Sequence, residues 1–257
     1  MKILKSIAVA FSMYSRIPMP RFTWDSDDMT YHLIFFPWVG AVIGLLEYGL
    51  FRLYVTFYLP AIAVAAFAIA LPLLVTGGYH VDGFMDVSDA LSSWQPKEKR
   101  LEIMKDPHIG AFSVINLVTF GLILYASIIL MTEGAFETWC FSFFVSRCLS
   151  GMCVVAVQKA KEDGMAAVEA KNSHTKAVFY GLLIQLIICY ALAFLMNPLE
   201  GVMLVVLSIF WTLVYLKRAR VTFGGITGDL AGWFVVSMEI VLALFLMGMD
   251  IYQRISL

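Results

Sequence analysis

The sequence predicts an all-α fold, a polytopic membrane helix bundle of about seven transmembrane helices with an additional N-terminal interfacial helix. Of the 257 residues, 61% are hydrophobic and only 14% are charged, and the mean hydropathy is +0.83. A soluble domain is about 25% charged, so the chain has too little polar surface to cover a globule in water. The apolar residues stand in long blocks, and the positive charges cluster in the loops of one side. Residues 1–257 are interpreted as a single integral-membrane domain.

Seven apolar blocks are long enough to cross a membrane, because ~18 or more apolar residues in a helix span ~30 Å of hydrocarbon. Lipid offers the backbone no hydrogen-bond partners, so the blocks are predicted to be helices. They lie at about 33–58, 60–77, 111–131, 138–157, 178–196, 199–216 and 232–249. Pro60 and Asn197-Pro198 each break two consecutive blocks into a tight hairpin.

The N-terminal stretch is too short to be another span. Lys2 and Lys5 precede a few apolar residues, which Arg16 and Pro18 then interrupt, and no small-residue cleavage site follows. This pattern indicates a retained helix at the membrane interface rather than a signal peptide.

Positive charge is distributed unevenly between the two sides of the predicted bundle. With seven crossings, the N-terminal arm and the loops 78–110, 158–177 and 217–231 share one side. That side holds 15 of the 18 Lys and Arg residues, namely Lys2, Lys5, Arg16, Arg21, Lys97, Lys99, Arg100, Lys105, Lys159, Lys161, Lys171, Lys176, Lys217, Arg218 and Arg220. The positive-inside rule makes this side cytoplasmic, together with the N-terminus. We therefore expect a multi-pass protein of the cell inner membrane, in contact with the lipid bilayer.

Overall charge argues against a nucleic-acid partner, and the positions of the cysteines argue against a cysteine metal site. The net charge of -1 and the pI near 6.4 give no sign of a nucleic-acid partner. The four cysteines lie inside apolar blocks, without the spacing of a metal site, and are interpreted as buried reduced thiols.

The first charged loop carries three carboxylates at helical spacing. Asp82, Asp86 and Asp89 stand at i, i+4 and i+7, which puts them on one helical stripe only ~60° wide. Like charges on one stripe repel each other, and no Lys or Arg occurs between residues 53 and 96 to neutralise them. A divalent cation is a natural partner, and ligands that are all oxygen favour Mg²⁺. The pattern therefore predicts a magnesium site that binds a diphosphate substrate, the alternative being a solvated acidic face without a ligand.

The same loop continues with side chains that could act on phosphates. Arg100, Lys105 and His108 are candidate phosphate contacts, or else ordinary anchoring charges at the membrane surface. Asp106 is a candidate fourth metal ligand or the residue that orients a base. His80 is expected on the opposite side of the helix from the carboxylates, where a local structural role is the alternative to binding.

The third charged loop is glycine-rich and follows a basic cluster. Gly224, Gly225, Thr227, Gly228 and Asp229 come after Lys217, Arg218 and Arg220. Glycines let backbone N–H groups approach an anion closely, so this loop and Arg220 are predicted to contact phosphate or nucleotide.

Arg147 stands in the middle of a predicted span. Such a charge is costly in lipid and usually faces a cavity or an acidic partner. Glu47 and Glu239 are the candidate partners, and a purely structural ion pair is as compatible with the sequence as a contact with substrate.

Together these motifs resemble one enzyme family, the cobalamin synthases or adenosylcobinamide-GDP ribazoletransferases. The family signature Gly-Gly-x-His-x-Asp-Gly-x-x-Asp-x-x-Asp is matched from Gly77 to Asp89. Further family segments are matched in order along nearly the whole chain, at Arg16 to Pro20, Phe36-Pro37 with Gly40 and Gly44, Glu102 to Gly110, Ser146-Arg147, Glu162 to Met165, and Gly224 to Asp229.

The chain departs from the family pattern at three places. Asp106-Pro107-His108 stands where Asp-Ser-Arg is common, so one guanidinium is replaced. Asp89-Ala90 stands where Asp-Gly is usual, and Ala231-Gly232-Trp233 where Leu-Gly-Ala is usual. None of these changes removes a predicted metal ligand.

The resemblance implies a transferase that joins adenosylcobinamide-GDP to α-ribazole, or to its 5′-phosphate, with release of GMP and a requirement for Mg²⁺. In this hypothesis Asp82, Asp86 and Asp89 hold the metal, and Asp89 or Asp106 takes the proton of the attacking hydroxyl. The remaining site residues, His80, Arg100, Lys105, His108, Arg147, Arg220, Gly224, Gly225, Thr227, Gly228 and Asp229, contact substrate. A homo-oligomer is also compatible with the sequence.

Two other classes of protein share part of this pattern. CDP-alcohol phosphotransferases and aromatic prenyltransferases also carry Asp-rich helices at the membrane face. The first usually have an Arg soon after the Asp-Gly, and the second have another Asp-rich motif, and both features are missing here. A transporter would concentrate its polar residues at the bilayer midplane, where only Arg147, Glu47 and Glu239 stand.

Overall fold

The computed structural model of the protein describes residues 2–20, 23, 28–160, 169 and 173–256. Its helices, numbered in chain order, are α1 Lys2–Tyr14, α2 His32–Phe57, α3 Ala61–Thr76, α4 Tyr79–Ser92, α5 Lys97–Ile103, α6 Ala111–Leu130, α7 Glu133–Ala156, α8 Thr175–Met196, α9 Pro198–Arg218 and α10 Gly228–Ser256. A π-helical turn, Ala219–Phe223, continues α9. The described ranges contain no β-strand, only a single parallel bridge between Lys159 and Ile226. Arg21, Lys161, Lys171 and the segment from Glu162 to Met165 lie outside the described residues.

Among the described residues, six helices are long and apolar enough to cross a membrane, and a bent pair makes the seventh candidate. The six are α2, α6, α7, α8, α10 and the helix formed by α9 with its π-turn. The pair is α3 and α4, which meet at an angle of 102°. The prediction of a polytopic bundle with about seven spans is thus confirmed, and the second span is the short one, since α3 has only 16 residues.

The turns between helices follow the predicted breakers. Tyr58 ends α2 in the left-handed conformation, with φ 52°, and Pro60 precedes α3. Pro198 is the first residue of α9, where a missing N–H is harmless. The seventh span differs most from the prediction, because α10 extends from Gly228 to Ser256 rather than from about 232 to 249. The fourth span also starts early, because α7 begins at Glu133 rather than near 138. Its first turn is capped by Thr132, whose hydroxyl accepts a hydrogen bond from the Ala135 N–H.

Helix α7 forms the centre of the bundle and packs against α2, α8, α9 and α10. Two glycines of α2 allow a close approach, because a Cβ at Gly40 would overlap the Phe143 carbonyl and one at Gly44 the Cys140 carbonyl. Small residues commonly permit such contact between membrane helices. By contrast, α6, α8 and α9 expose large apolar side chains such as Leu122, Leu195 and Phe210. These outward faces are suited to lipid.

The predicted loop 78–110 contains two helices, α4 and α5. Helix α4 packs against α10 and α6, and α5 packs against α4 and the π-turn. Together with residues 15–20, 104–110, 158–160 and 217–229 they form what we call the charged end of the bundle. The predicted site residues, apart from Arg147 within α7, lie in the segments of this end.

Candidate active site

Helix α4 carries Asp82, Asp86 and Asp89, which we call the carboxylate row. The helix starts after Gly77 and Gly78, whose φ angles of 68° and 82° are left-handed and suit glycine. The opposite face of α4, with Phe84 and Val87, is fully buried. Asp82 is exposed, and Asp86 and Asp89 are half-buried. The predicted stripe therefore exists and faces outward at the charged end.

A close contact at Gly83 brings a fourth carboxylate, that of Asp229, to the row. A Cβ on Gly83 would lie 2.7 Å from the Asp229 carbonyl oxygen and 2.8 Å from its Cα, so α4 touches the first turn of α10. Gly232 repeats the close approach one turn further, opposite the His80 carbonyl. The pKa of Asp86 rises to about 6, through burial first and then through the negative charges of Asp82, Asp229 and Asp89. Asp229, which the sequence could only assign to a distant loop, thus belongs to the same site.

Asp89 reaches the start of α6. Its carboxylate fills the space in which a side chain of Gly110 would stand, directly before the first residue of α6. This contact connects the end of the row to the segment that carries Asp106 and His108.

Asp106 and His108 form a local pair. His108 Nδ1 lies 2.7 Å from Asp106 Oδ1, and the His108 backbone N–H donates to the same oxygen at 3.0 Å. These two hydrogen bonds lower the pKa of Asp106. Both side chains are exposed, as is Lys105. The geometry fits the predicted role of Asp106 as the group that orients a base.

The glycine-rich loop is held by backbone hydrogen bonds. The Ile226 N–H donates to Gln158 O at 3.0 Å, and the Ala160 N–H donates to Ile226 O at 3.0 Å. The Gly225 N–H donates to Ala219 O at 2.9 Å. Two of the N–H groups that could have faced an anion are therefore used within the protein. Thr227 caps α10, because its hydroxyl accepts from the Leu230 N–H at 3.1 Å.

Two predicted contact residues, His80 and Arg147, are not directed toward the row. His80 is buried on the far side of α4, as expected from its position. Arg147 is buried and donates to Glu239 Oε1 at 2.7 Å and to Phe143 O at 2.8 Å. Of its two candidate partners, Glu239 is the one that forms the ion pair. Arg220 is exposed on the π-turn, and Arg100 is half-buried in α5.

Several residues of this end were not predicted as part of the site. The Lys97 amine occupies the space beside Gly224 where a Cβ would stand, and Arg16 does the same at Gly77. The hydroxyl of Tyr14 in α1 donates to the buried Glu169 at 2.7 Å. Burial raises the pKa of Glu169 to about 7. The family segment at Arg16 was a signal for that residue, whereas nothing in the sequence marks Glu169.

The carboxylates do not form a closed metal cage. Over the described ranges, no group of three His, Cys, Asp or Glu side chains is arranged so that it could hold a metal ion by itself. Mg²⁺, however, usually takes only one or two carboxylates and completes its shell with water and substrate phosphates. Asp86 and the three carboxylates that help burial to raise its pKa, Asp82, Asp229 and Asp89, suit such a site.

Comparison with known proteins connects this geometry to a family. Residues 6–247 match the family model of cobalamin-5-phosphate synthase. The chain belongs to the cobalamin-5-phosphate synthase family. This cobalamin synthase family protein is therefore an enzyme, a transferase of cobalamin biosynthesis that is built from membrane helices. No solved structure matches the chain significantly.

Three relatives of this cobalamin synthase family member carry the same name, adenosylcobinamide-GDP ribazoletransferase. A protein of Lachnoclostridium phytofermentans named adenosylcobinamide-GDP ribazoletransferase is 38% identical over 244 residues, which cover 95% of this chain and 94% of the relative. A protein of the same name from Clostridium perfringens is 33% identical over 246 residues, with coverage of 93% and 96%. One from Brevibacillus brevis is 29% identical over 250 residues, with coverage of 93% and 96%.

Proposed function

We propose that this enzyme transfers the adenosylcobinamide phosphate group from adenosylcobinamide-GDP to α-ribazole or α-ribazole 5′-phosphate, in a reaction that requires Mg²⁺. The products are adenosylcobalamin or its phosphate, and GMP. The single observation that carries the proposal is the meeting of the carboxylate row with Asp229 at the charged end. The names of the relatives support the choice of substrates.

One or two carboxylates of the set Asp82, Asp86, Asp89 and Asp229 would hold Mg²⁺ together with the diphosphate of the donor. The metal, when bound, neutralises negative charge on the diphosphate and on the leaving GMP. Burial first, and then the negative charges of Asp82, Asp229 and Asp89, raise the pKa of Asp86 and so disfavour its ionised form. A dication relieves that repulsion, which is the physical reason why these residues suit a metal.

The transfer itself exchanges one phosphorus–oxygen bond for another. A ribose hydroxyl of the acceptor attacks the phosphorus that carries the cobinamide, and the bond from that phosphorus to the oxygen of GMP breaks. The hydroxyl proton goes to the pair of Asp106 and His108, because a carboxylate bound to metal is a poor base. Asp106 holds the imidazole by the 2.7 Å contact at Nδ1.

The remaining cations at this end would bind the phosphates. Lys105 and Arg220 are exposed, and Lys97 lies against Gly224. Each of these side chains can contribute positive charge to phosphate binding without first breaking a contact with a buried residue.

The reaction is tested with membranes that contain the protein, supplied with adenosylcobinamide-GDP and α-ribazole or its phosphate, with and without Mg²⁺. We expect release of GMP and formation of cobalamin only with the metal. Asp82→Asn should abolish transfer and leave membrane insertion unchanged, whereas Glu98→Gln, on the exposed side of α5, should keep full activity. Near-normal turnover of Asp82→Asn would contradict the metal model, and the better of the two acceptors identifies the physiological one.

We also propose that the charged end, with the N-terminus, faces the cytoplasm across the inner membrane. The four native cysteines are buried, so single introduced cysteines can report sidedness. Gln95→Cys at the charged end should resist a membrane-impermeant maleimide in intact spheroplasts, and Ile255→Cys at the other end should react. The reverse pattern would refute the orientation.

A further inference from the structure

A cavity of about 100 Å³ lies beneath α4 and is bordered by α3, α6, α7 and α10. Its walls are mostly apolar and aromatic, with contributions from Phe84, Phe120, Trp139 and Phe143. Polar side chains also line it, namely Thr76, His80, Arg147 and Glu239. The reaction proposed above assigns no role to this chamber.

The polar side chains of the cavity carry hydrogen-bonding capacity that the protein does not use. His80 is 5% exposed, and within the described part of the chain neither of its ring nitrogens has a hydrogen-bond partner. The Nε of Arg147 is likewise buried without one, although another nitrogen of this side chain binds Glu239. Each unsatisfied buried group costs about 1–3 kcal/mol. Groups of this kind beside a cavity indicate a ligand that supplies the missing polar atom.

A second, smaller cavity of about 30 Å³ adjoins the same histidine on the side of the charged end. It is lined by more polar groups, Tyr14, Tyr79, Ser150 and Glu169, and by Gly228 at the start of α10. His80 lines both cavities. Gly228 directly precedes Asp229, so the polar chamber lies beside the first turn of α10, which carries that carboxylate. The two chambers together suit a ligand with one apolar end and one hydroxylated end.

We infer that the apolar chamber binds the aromatic base of the nucleoside acceptor, with His80 in hydrogen-bond contact with a ring nitrogen. The ribose then leaves the base on the side of the polar chamber, whose volume of about 30 Å³ admits a single hydroxyl group, and is directed toward the carboxylate row. This inference rests on the proposed function, and it names a subsite for the methylated benzimidazole that α-ribazole carries.

The properties of the chamber favour an aromatic heterocycle over the two other occupants available in a membrane. Engineered apolar cavities of about 150 Å³ bind benzene and stay free of water, so a cavity of about 100 Å³ with an open side admits one ring of a fused pair. A lipid tail offers no polar atom to His80 or Arg147. Water would satisfy both, but it would have to wet the aromatic walls.

The direct test is binding of 5,6-dimethylbenzimidazole alone to the purified full-length protein in detergent. A saturating concentration should raise the unfolding temperature by about 5 °C. Gly121 lines the cavity and has open space around its Cα, so Gly121→Leu should fill the chamber and abolish this shift. Gly248 in α10 also has open space around it and lies outside the cavity, so Gly248→Leu should keep the shift.

The role of the histidine is tested by comparing the base with indene, a hydrocarbon of the same shape. The native protein should bind dimethylbenzimidazole about fivefold or more tightly than indene, as one hydrogen bond predicts. His80→Phe keeps an aromatic ring beside Tyr14 and Phe36 and should remove the difference. If His80→Phe keeps the preference, the hydrogen bond is refuted.

Kinetics distinguish this inference from the function on which it rests. Gly121→Leu should raise the KM for α-ribazole at least tenfold and leave the KM for the GDP donor unchanged. If the native enzyme makes cobalamin but dimethylbenzimidazole gives no shift and Gly121→Leu keeps its KM, the subsite is wrong and the function stands. If the base binds and Gly121→Leu abolishes binding but no transfer occurs, the function is wrong and the base-binding cavity stands.

Discussion

Replacing Gly83 with alanine tests whether the contact between α4 and α10 builds the active site. The added methyl would lie 2.7 Å from the Asp229 carbonyl oxygen and 2.8 Å from its Cα. Ordinary contact begins near 3.4 Å, so the two helices must separate by roughly 0.6 Å, and neither obstacle is a flexible side-chain end. Overpacking of this kind typically costs about 1–3 kcal/mol.

The effect on catalysis should exceed the effect on stability. The displacement moves Asp229 away from Asp86, and misplacement of reacting groups by about 1 Å can reduce the rate about 100-fold. We therefore expect Gly83→Ala to fold and to insert, with a lower unfolding temperature and a kcat reduced by about 10- to 100-fold.

The assay pairs thermal unfolding in detergent with GMP release at saturating substrates. Gly49→Ala is the matched control, because a Cβ at Gly49 meets nothing within 4 Å. It should retain activity and be equally or slightly more stable, since alanine favours a helix over glycine. If Gly83→Ala is as active as Gly49→Ala, the close approach of α4 to Asp229 is not needed for the reaction.

Three further predictions concern stability. Burial raises the pKa of Glu169 from 4.5 to about 7, so the folded state holds this proton more tightly than the unfolded state, and stability should fall as the pH rises from 4.5 through 7. Glu169→Gln should thus be more stable than the native protein at pH 8, by up to about 3 kcal/mol. Thermal melts should show no difference between the two proteins near pH 4.5. A difference in stability that does not change with pH would contradict this. Arg147→Met leaves Glu239 buried without its partner and should cost about 3–5 kcal/mol, which the double variant with Glu239→Gln should largely recover in denaturant titrations, whereas additive losses would refute the pairing. Asp250→Ala removes the acceptor of the Thr132 N–H and hydroxyl, both at 2.8 Å, and should lower stability by about 1–3 kcal/mol; an unchanged unfolding temperature would exclude that role.

Most of the fold could be predicted because lipid imposes a simple rule on the sequence. Long apolar blocks gave the spans, and proline and glycine gave their ends, as at Pro60 and Pro198. The bend after α3 was only partly predictable. Gly77-Gly78 indicated a break, but the angle of 102° depends on how α4 packs against α10.

The site was predictable where its residues are close in sequence. The spacing of Asp82, Asp86 and Asp89 defines a stripe on any helix. The approach of Asp229 could not be derived from spacing, because it depends on two glycines that bring separate helices together. The contact between Tyr14 and Glu169 left no pattern at all, since a single buried acid far along the chain resembles any surface acid.

Because helix α3 is short, the depth of the carboxylate row in the membrane depends on bilayer thickness. Its 16 residues extend only about 24 Å, less than the ~30 Å of hydrocarbon that it borders. The break at Gly77-Gly78 is therefore drawn toward the hydrocarbon, or the lipid thins around it, at a fraction of a kcal/mol per Å. Because Asp82 begins only a turn beyond that break, longer acyl chains would lower the row into a drier region and oppose its ionisation. Shorter chains would return it to water, so under the proposed Mg²⁺ role the composition of the surrounding lipid would set how readily this end of the protein binds the metal.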